Sequence, residues 1–343
     1  MIVDLRSDTL TKPSPEMRRA MAEAEVGDDV FGEDPTVNRL QELAAEILGK
    51  ESALFMPSGS MANQAALGAH TQPGDEVICE ASCHIRNYEG GAPAALSGVM
   101  LNYIEGRRGS FTAEEAQARL RPNNSHYPAS RLIWIENSSN RAGGAIFPQS
   151  EIHRLRQLAD ENRLALHLDG ARIWNVSATL GISEKELAAP FDSVNACLSK
   201  GLGCPVGSLT AGSQDFIKRV HRLRKRFGGG MRQAGILAAA GIYALAHNRE
   251  RLNEDHAKAR RLAEAVADIP LFTIDRESVQ TNIVIFQVKP GKLSAVEAVE
   301  RLRREGILGL PLGASIRFVT HLDVDDKGLD YAVQTIHRLF KGL

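Results

Sequence analysis

The sequence predicts an α/β fold: a large domain built around a mostly parallel central sheet, followed by a smaller C-terminal α/β domain. Three observations predict it. Short apolar runs alternate with amphipathic helical patterns along most of the chain, as βα units require. The run LALHLD at 164–169 loses the in-out alternation of a half-exposed strand and reads as a parallel strand buried on both faces. Composition changes after about Asn248, where a charged helical stretch opens a second unit. The domains are therefore expected at 1–248, including an N-terminal arm, and at 249–343.

The totals exclude several classes. A chain of 343 residues, 43% hydrophobic and 24% charged, has core enough for two globular domains. With 41 basic against 42 acidic residues the net charge is −1, which provides no overall attraction to nucleic acid or a membrane surface. Cys79, Cys83, Cys197 and Cys204 form no CxxC pair and no metal-type spacing with histidine, so no metal is expected. They read as reduced thiols of a cytoplasmic protein. Asp4, Arg6 and Asp8 interrupt the N-terminus, which lacks the apolar core of a signal peptide. The uncharged run Gly235 to Ala246 is shorter than the roughly 20 residues a bilayer crossing takes. It reads as a buried or subunit-facing helix.

Each element follows from local chemistry. Ser14-Pro15 caps a short helix after the polar arm RSDTLT. GDDVFGEDP is turn-rich and carries one aromatic, Phe31, that reads as exposed. From Asp34-Pro35, Val37, Leu40, Leu43, Ala44, Ile47 and Leu48 share one helical face until Gly49 stops the helix. The strand Ala53 to Met56 runs into Pro57-Ser58-Gly59-Ser60 and a small-residue helix. Free amides and hydroxyls at that helix start either cap the helix or cradle a phosphate. A turn at Pro73-Gly74-Asp75 precedes a strand from Glu76 to Cys79, and His84 follows in a loop. The strand Arg131 to Glu136 enters the polar loop NSSNRAGG. Ser150 is expected to cap the next helix, which turns Ile152, Leu155, Leu158 and Ala159 inward.

Two strand ends carry the chemistry. The first is Asp169-Gly170-Ala171-Arg172, where a buried carboxylate stands near an arginine: a structural ion pair, or an acid reserved for a protonated ring nitrogen. The second is SVNACLSKGLGCPVGS at 193–208, where an apolar run delivers Lys200 into a turn with Gly201, Gly203 and Gly207. Read alone, Lys200 is either a surface lysine or a desolvated amine nucleophile beside backbone that a ligand can approach. Both strand ends belong at the carboxyl edge of one sheet, where α/β proteins bind ligands.

Beyond Lys200, the basic helix Gln214 to Phe227 reads as a solvated or subunit-facing surface, and FGGGMRQAGI as a glycine hinge carrying Arg232. The second unit should contain a helix from Arg251 to Val266, a strand from Thr281 to Val288, a helix opened by a Ser294/Glu297 capping box, a strand around Ile316 to Val319 and a final helix from Asp325. Arg317, in the strand SIRFVTH, is an edge-strand cation or one facing a cleft between the domains.

A lysine amine, a buried aspartate, a phosphate-type cradle, a histidine able to cover a ring and arginines suited to a carboxylate are together what pyridoxal 5′-phosphate uses. The chain also resembles the low-specificity L-threonine aldolases, pyridoxal-phosphate enzymes of the fold type I, aspartate-aminotransferase-like class. The resemblance runs over essentially the whole length. It is carried by RSDTLT at 6–11, GDDVFGEDPTVNRLQ at 27–41, PSGSMANQAAL at 57–67, HIRNYEGGAP at 84–93, HLDGARIWN at 167–175, SKGLGCPVGS at 199–208 and GGGMRQAGILAAAG at 228–241.

The resemblance implies a cofactor aldimine on Lys200, a ring-nitrogen partner in Asp169 and a stacked His84. It implies phosphate contacts from Ser58, Gly59 and Ser60, with Arg232 reaching a phosphate in a neighbouring subunit. Ser7, Arg172 and Arg317 are implied to hold the substrate carboxylate, and His126 and Phe31 to line the pocket of the substrate side chain. Phe31 stands where many members have tyrosine, and Ser60 where threonine is usual, so the hydroxyl at 31 is lost and that at 60 is kept.

The implied reaction is retro-aldol cleavage of L-threonine, L-allo-threonine and related β-hydroxy-α-amino acids to glycine and an aldehyde, through a quinonoid carbanion. His84, His126 or a water ordered between them are the candidates for the base that takes the β-hydroxyl proton, with His84 favoured because it must lie near the ring. A dimer-based homotetramer with shared active sites is implied as well. A β-eliminating lyase or aminotransferase would share the cofactor signals. A nucleotide-binding protein is disfavoured by the absence of GxxxxGK[ST] and of GxGxxG after a first strand. A non-catalytic regulatory module would be expected to lack Lys200 or Asp169, and both are present.

Overall fold

The computed structural model describes residues 1–343. Its strands in chain order are β1 (Val3–Asp4), β2 (Ser52–Met56), β3 (Glu76–Glu80), β4 (Met100–Ile104), β5 (Ser130–Glu136), β6 (Ala165–Asp169), β7 (Ser193–Cys197), β8 (Ser208–Gly212), β9 (Phe272–Ile274), β10 (Ile283–Val288), β11 (Ile307–Leu308), β12 (Leu310–Leu312) and β13 (Ser315–Val319). Seven of them form one sheet in the order β2-β8-β7-β6-β5-β3-β4. Within it only β8 runs against its neighbours, so the sheet is mostly parallel, as the sequence predicts.

Alternation along the strands splits the core into two layers. On β5, Ile133 and Ile135 pack to one side, under the helices Pro35–Leu48, Gln149–Asn162 and Gly235–His247. Leu132 and Trp134 pack to the other, under Ala62, Ala65 and Leu67 of the helix Gly59–His70 and Phe216 and Val220 of the helix Gln214–Arg226. Both faces are dry, which is why these strands read as unbroken apolar runs.

The smaller unit is an antiparallel sheet in the order β12-β13-β10-β9, covered by the helices Leu252–Ala267, Ala295–Arg304 and Asp326–Phe340. The N-terminal arm serves both units. β1 pairs in parallel with β11, and Val3 and Leu5 are buried in the smaller core. A few residues on, Thr11 donates to the Lys200 carbonyl at 2.9 Å. Leu252, by contrast, packs into the larger core.

Several local expectations are revised. Pro148, not Ser150, occupies the N-cap of the helix Gln149–Asn162. His84 opens a four-residue helix, His84–Asn87, rather than lying in an irregular loop. The basic helix is not simply solvated: Arg224 points inward, 1% exposed, donating to the Phe55 carbonyl at 2.8 Å and pairing with Asp29 at 2.8 Å. The glycines after Lys200 serve packing rather than ligand approach. A Cβ on Gly207 would stand 2.6 Å from the Phe55 ring, and one on Gly201 2.9 Å from Leu252. Gly203 and Gly207 also have φ of +78° and +110°, a region other residues avoid.

Candidate active site

The carboxyl ends of β2, β3, β5, β6 and β7 open onto a cleft of about 410 Å³, closed on its far side by the arm and the smaller unit. β2 leads to Ser58, Gly59 and Ser60, β3 to His84, β5 ends at Glu136, β6 at Asp169, and β7 leads to Lys200; all line the cleft. Ser7 enters from the arm and Arg317, Leu310 and Leu312 from the smaller sheet. Arg317 is therefore a cleft cation between the units rather than a solvated edge-strand residue. This is the ligand-binding edge of an open α/β sheet.

At the floor, Glu136, Asp169 and Asn195 stand in register on adjacent strands and project to the same face. The helix Gly59–His70 lays Asn63 over them. The Asn63 amide donates to Asp169 at 2.9 Å and to Glu89 at 2.7 Å, while its oxygen accepts from Asn195 at 2.9 Å. Thr210 in turn donates to Asn195 at 2.7 Å. Neutral amides thus fix Asp169, whose further partner is the Ala171 backbone N–H at 3.2 Å. Burial raises the Asp169 pKa, partly offset by the nearby charges of His84 and Lys200. A buried carboxylate held by neutral donors is short of one cation, and a protonated ring nitrogen fits that need.

His84 stands above this floor with Nδ1 at 2.7 Å from Glu89. A carboxylate can only accept there, so Nδ1 carries the proton and Nε2 is the nitrogen left for chemistry. Burial alone would lower the His84 pKa, but Glu89, Asp169 and Glu136 together raise it. Glu136 accepts from the His84 backbone N–H at 2.6 Å and from that of Asn140 at 2.8 Å. Burial, then the neighbouring Asp169, pushes the Glu136 carboxyl up to about 7.

The cradle at Ser58 is a true helix start: its hydroxyl caps Met61 N–H at 3.2 Å, and an added Cβ on Gly59 would lie 3.0 Å from the Cys197 sulfur. Such an end favours an anion through its free amides and dipole. The donor set of the cleft therefore fits pyridoxal phosphate: an amine at 200, a lone buried acid at 169, a flat ring at 84 and an anion cradle at 58–60.

The two arginines are not equivalent. Arg172, 5% exposed, is joined to the fully buried Asp8 by two hydrogen bonds of 2.8 Å. Arg317 donates Nη1 to Asn140 at 3.0 Å and Nη2 to the Arg6 carbonyl at 3.1 Å, while its Nε is buried without a partner. Burial and the neighbouring Arg172 lower the Arg317 pKa, the mark of a guanidinium wanting an anion. Ser7 accepts from Thr9 and still has its own O–H to give.

Three residues expected at the site stand outside the cleft of their own chain. Phe31 is 72% exposed. Arg232 pairs on the surface with Asp28 at 2.9 Å. His126 is exposed in the segment before β5, at the amino edge of the sheet, opposite Glu136. Conversely, Asp8, Asn63, Glu89, Glu136 and Asn140 were not expected. Asn63 was findable as a polar residue on an apolar small-residue helix, and Glu89 by its spacing from His84.

This architecture is the fold type I scaffold of pyridoxal-phosphate enzymes, with its ligand cleft between sheet edge and smaller unit. The family model described as Beta-eliminating lyase matches residues 4–289. The chain is 42% identical to the probable low-specificity L-threonine aldolase 2 of Arabidopsis thaliana, over 98% of this chain and 97% of that protein. It is 41% identical to the low specificity L-threonine aldolase of Escherichia coli K12, over 96% of each. The solved threonine aldolase of Leishmania major superposes with a TM-score of 0.83 at 19% identity, covering 98% of this chain and 99% of that one. The chain belongs to the beta-eliminating lyase family and, within it, to the low-specificity L-threonine aldolases.

Proposed function

We propose that this chain is a pyridoxal-phosphate-dependent low-specificity L-threonine aldolase, cleaving L-threonine, L-allo-threonine and related β-hydroxy-α-amino acids to glycine and an aldehyde. The observation that carries the reading is the convergence of Lys200, Asp169 and the unsatisfied Arg317 on one cleft. Ser58, Gly59 and Ser60 would hold the cofactor phosphate, Asp169 its ring nitrogen, His84 its ring face and Lys200 its aldehyde. Pyridoxal phosphate, when bound, supplies an electron sink for the pair left at Cα as a bond to that carbon breaks.

The chain's own residues decide which bond that is. Arg317, which lines the cleft with one guanidinium N–H unpaired, receives the substrate carboxylate, with the Ser7 hydroxyl and the positive field of Arg172 beside it. Anchoring the carboxylate there fixes the rotation about Cα, and so which substituent stands across the ring. His84 is the base in this reading: its Nδ1 is committed to Glu89, and Nε2 takes the proton of the β-hydroxyl as the Cα–Cβ bond opens. The ring, already in the cleft, supports His84 over His126, which is outside it.

Exposed positions suit Phe31, His126 and Arg232 to reach the cleft of a neighbouring copy, in line with a dimer-based tetramer whose sites are shared. No helix is long and apolar enough to cross a membrane, and the near-neutral charge offers no overall attraction to nucleic acid. The four unpaired, buried cysteines are in line with a cytoplasmic enzyme. The test is to incubate the holoenzyme with each threonine diastereomer and quantify products. Glycine and acetaldehyde in equal amounts are expected; ammonia and a keto acid would overturn the reading.

A further inference from the structure

We propose that Glu136 is a positioning residue that ties the carboxylate receptor Arg317 to the base His84, holding one loop on each of its two oxygens. The proposal rests on the functional reading above. Glu136 ends β5 on the cleft floor, 7% exposed. Its Oε2 accepts the His84 backbone N–H at 2.6 Å, at the end of the connection from β3. Its Oε1 accepts the Asn140 backbone N–H at 2.8 Å, in the loop that follows β5. The Asn140 side chain then accepts Nη1 of Arg317 at 3.0 Å. One rigid strand end therefore sets the separation between the imidazole and the guanidinium, and so between the base and a β-hydroxyl on an amino acid anchored by its carboxylate.

The placement has a cost that a merely structural residue would avoid. Glu136 lies in register with Asp169, so two carboxyl groups share one face of the sheet floor. Burial and that neighbour raise its pKa, against the two backbone donors and His84, which lower it. A neutral side chain would relieve the repulsion. Only a group with two acceptor oxygens matches both N–H donors, because a glutamine turns an amide NH2 toward one of them.

The test uses the holoenzyme. Glu136→Gln should retain cofactor absorbance and cooperative unfolding, yet lose roughly 10- to 100-fold in kcat/KM for threonine, with KM raised and kcat lowered. The dissociation constant for glycine, which has a carboxylate but no β-hydroxyl, should rise in the same variant when measured by calorimetry. Double-mutant cycles separate positioning from general damage. With Asn140→Ala already present, Glu136→Gln should leave glycine affinity within about twofold, because the link to Arg317 is gone. With His84→Ala present, it should leave kcat within a similar margin.

If Glu136→Gln does not fold, Asn140→Ala alone decides: glycine affinity should fall about tenfold, with kcat within about twofold. Unchanged glycine affinity in either variant, or full additivity in both cycles, overturns the proposal. A wild-type holoenzyme that binds glycine but releases none from threonine overturns the aldolase reading alone, and the glycine cycles still judge Glu136. A holoenzyme that binds no amino acid overturns both.

Discussion

Asp8 and Arg172 meet in the interior through two parallel hydrogen bonds of 2.8 Å, the guanidinium presenting Nε and Nη2 to the two carboxylate oxygens. Asn282 of the smaller unit adds a donor to Asp8 at 3.0 Å. The arm, the β6 turn and the smaller unit are thus joined at one buried charge pair, on the wall of the cleft. Arg172 has spent its bidentate edge on Asp8. Arg317, which also lines the cleft, keeps its Nε without a partner.

Removing the Asp8 charge leaves Arg172 buried without a counterion. Asp8→Asn is expected to cost about 3–5 kcal/mol, read from the denaturant midpoint at neutral pH. Burial acts to raise the Asp8 pKa, but Arg172 overrides it and holds the group far below the usual carboxylate range. A depressed acid stabilises the fold above its unfolded pKa, near 4, and loses that contribution as pH falls through the folded value. The deficit of Asp8→Asn should therefore be full at pH 6 and shrink on acidification. A deficit that did not shrink would place its origin in packing.

Arg317→Leu should act on binding before chemistry. Its Nε is the unpaired donor, so KM for threonine should rise about 100-fold with a smaller change in kcat, consistent with loss of a charge-assisted contact. Arg317→Lys should recover little, since an ammonium cannot hold Asn140, the Arg6 carbonyl and a carboxylate in one plane. Unchanged KM in the leucine variant would remove Arg317 from carboxylate recognition.

If His84 is the base, it must be neutral to act. Its pKa is raised, so the acid limb of kcat/KM should lie above pH 6.5, and activity should climb as pH rises through that limb. Glu89→Gln weakens the partner of Nδ1, so the limb should move to lower pH while the rate on the plateau falls about tenfold. A limb that stays in place in His84→Asn would assign the titration to another group.

Lys200→Ala should abolish both turnover and the visible absorbance of bound cofactor, while leaving the fold intact. Lys200 is only half-buried, and its structural bond is the backbone carbonyl that receives Thr11, which alanine keeps. Normal turnover of threonine by this variant would exclude the amine from the reaction.

What was legible in the sequence was what strands deliver. Asp169 and Lys200 end apolar runs, and Ser58 to Ser60 open a helix directly after one, so local pattern alone puts them at one sheet edge. β8 was missed because SLTAG is short and small-sided and offers no period. Glu136 was visible as the last residue of a strand, but its role depends on two loops separated in sequence that meet only in the fold. Asp8 registered as a charge incompatible with a signal peptide. Its partner lies 164 residues away, and nothing local announces the pair. His126 shows the opposite limit: a motif likeness places a residue in a pocket, whereas the strand that follows it places this one at the far edge of its own chain.

The cradle offers a test that depends on one contact. Gly59 is the first residue of the helix Gly59–His70, and a Cβ there would lie 3.0 Å from the Cys197 sulfur and 3.5 Å from the Ser208 hydroxyl. Cys197 cannot easily withdraw, because it is buried at the end of β7 and accepts a hydrogen bond from Ser208 at 3.1 Å. Gly59→Ala should therefore lift the helix start away from the strand edge and misplace the amides proposed to hold the cofactor phosphate. Overpacking by one methyl costs about 1 kcal/mol or more, so cofactor affinity should fall on the order of five- to tenfold in an absorbance titration of the apoenzyme. Cys197→Ala removes the obstructing sulfur. It should be nearly silent alone and should restore affinity to Gly59→Ala. If the double variant binds no better than Gly59→Ala, the glycine is needed for the path of the backbone toward the anion rather than for clearance from Cys197.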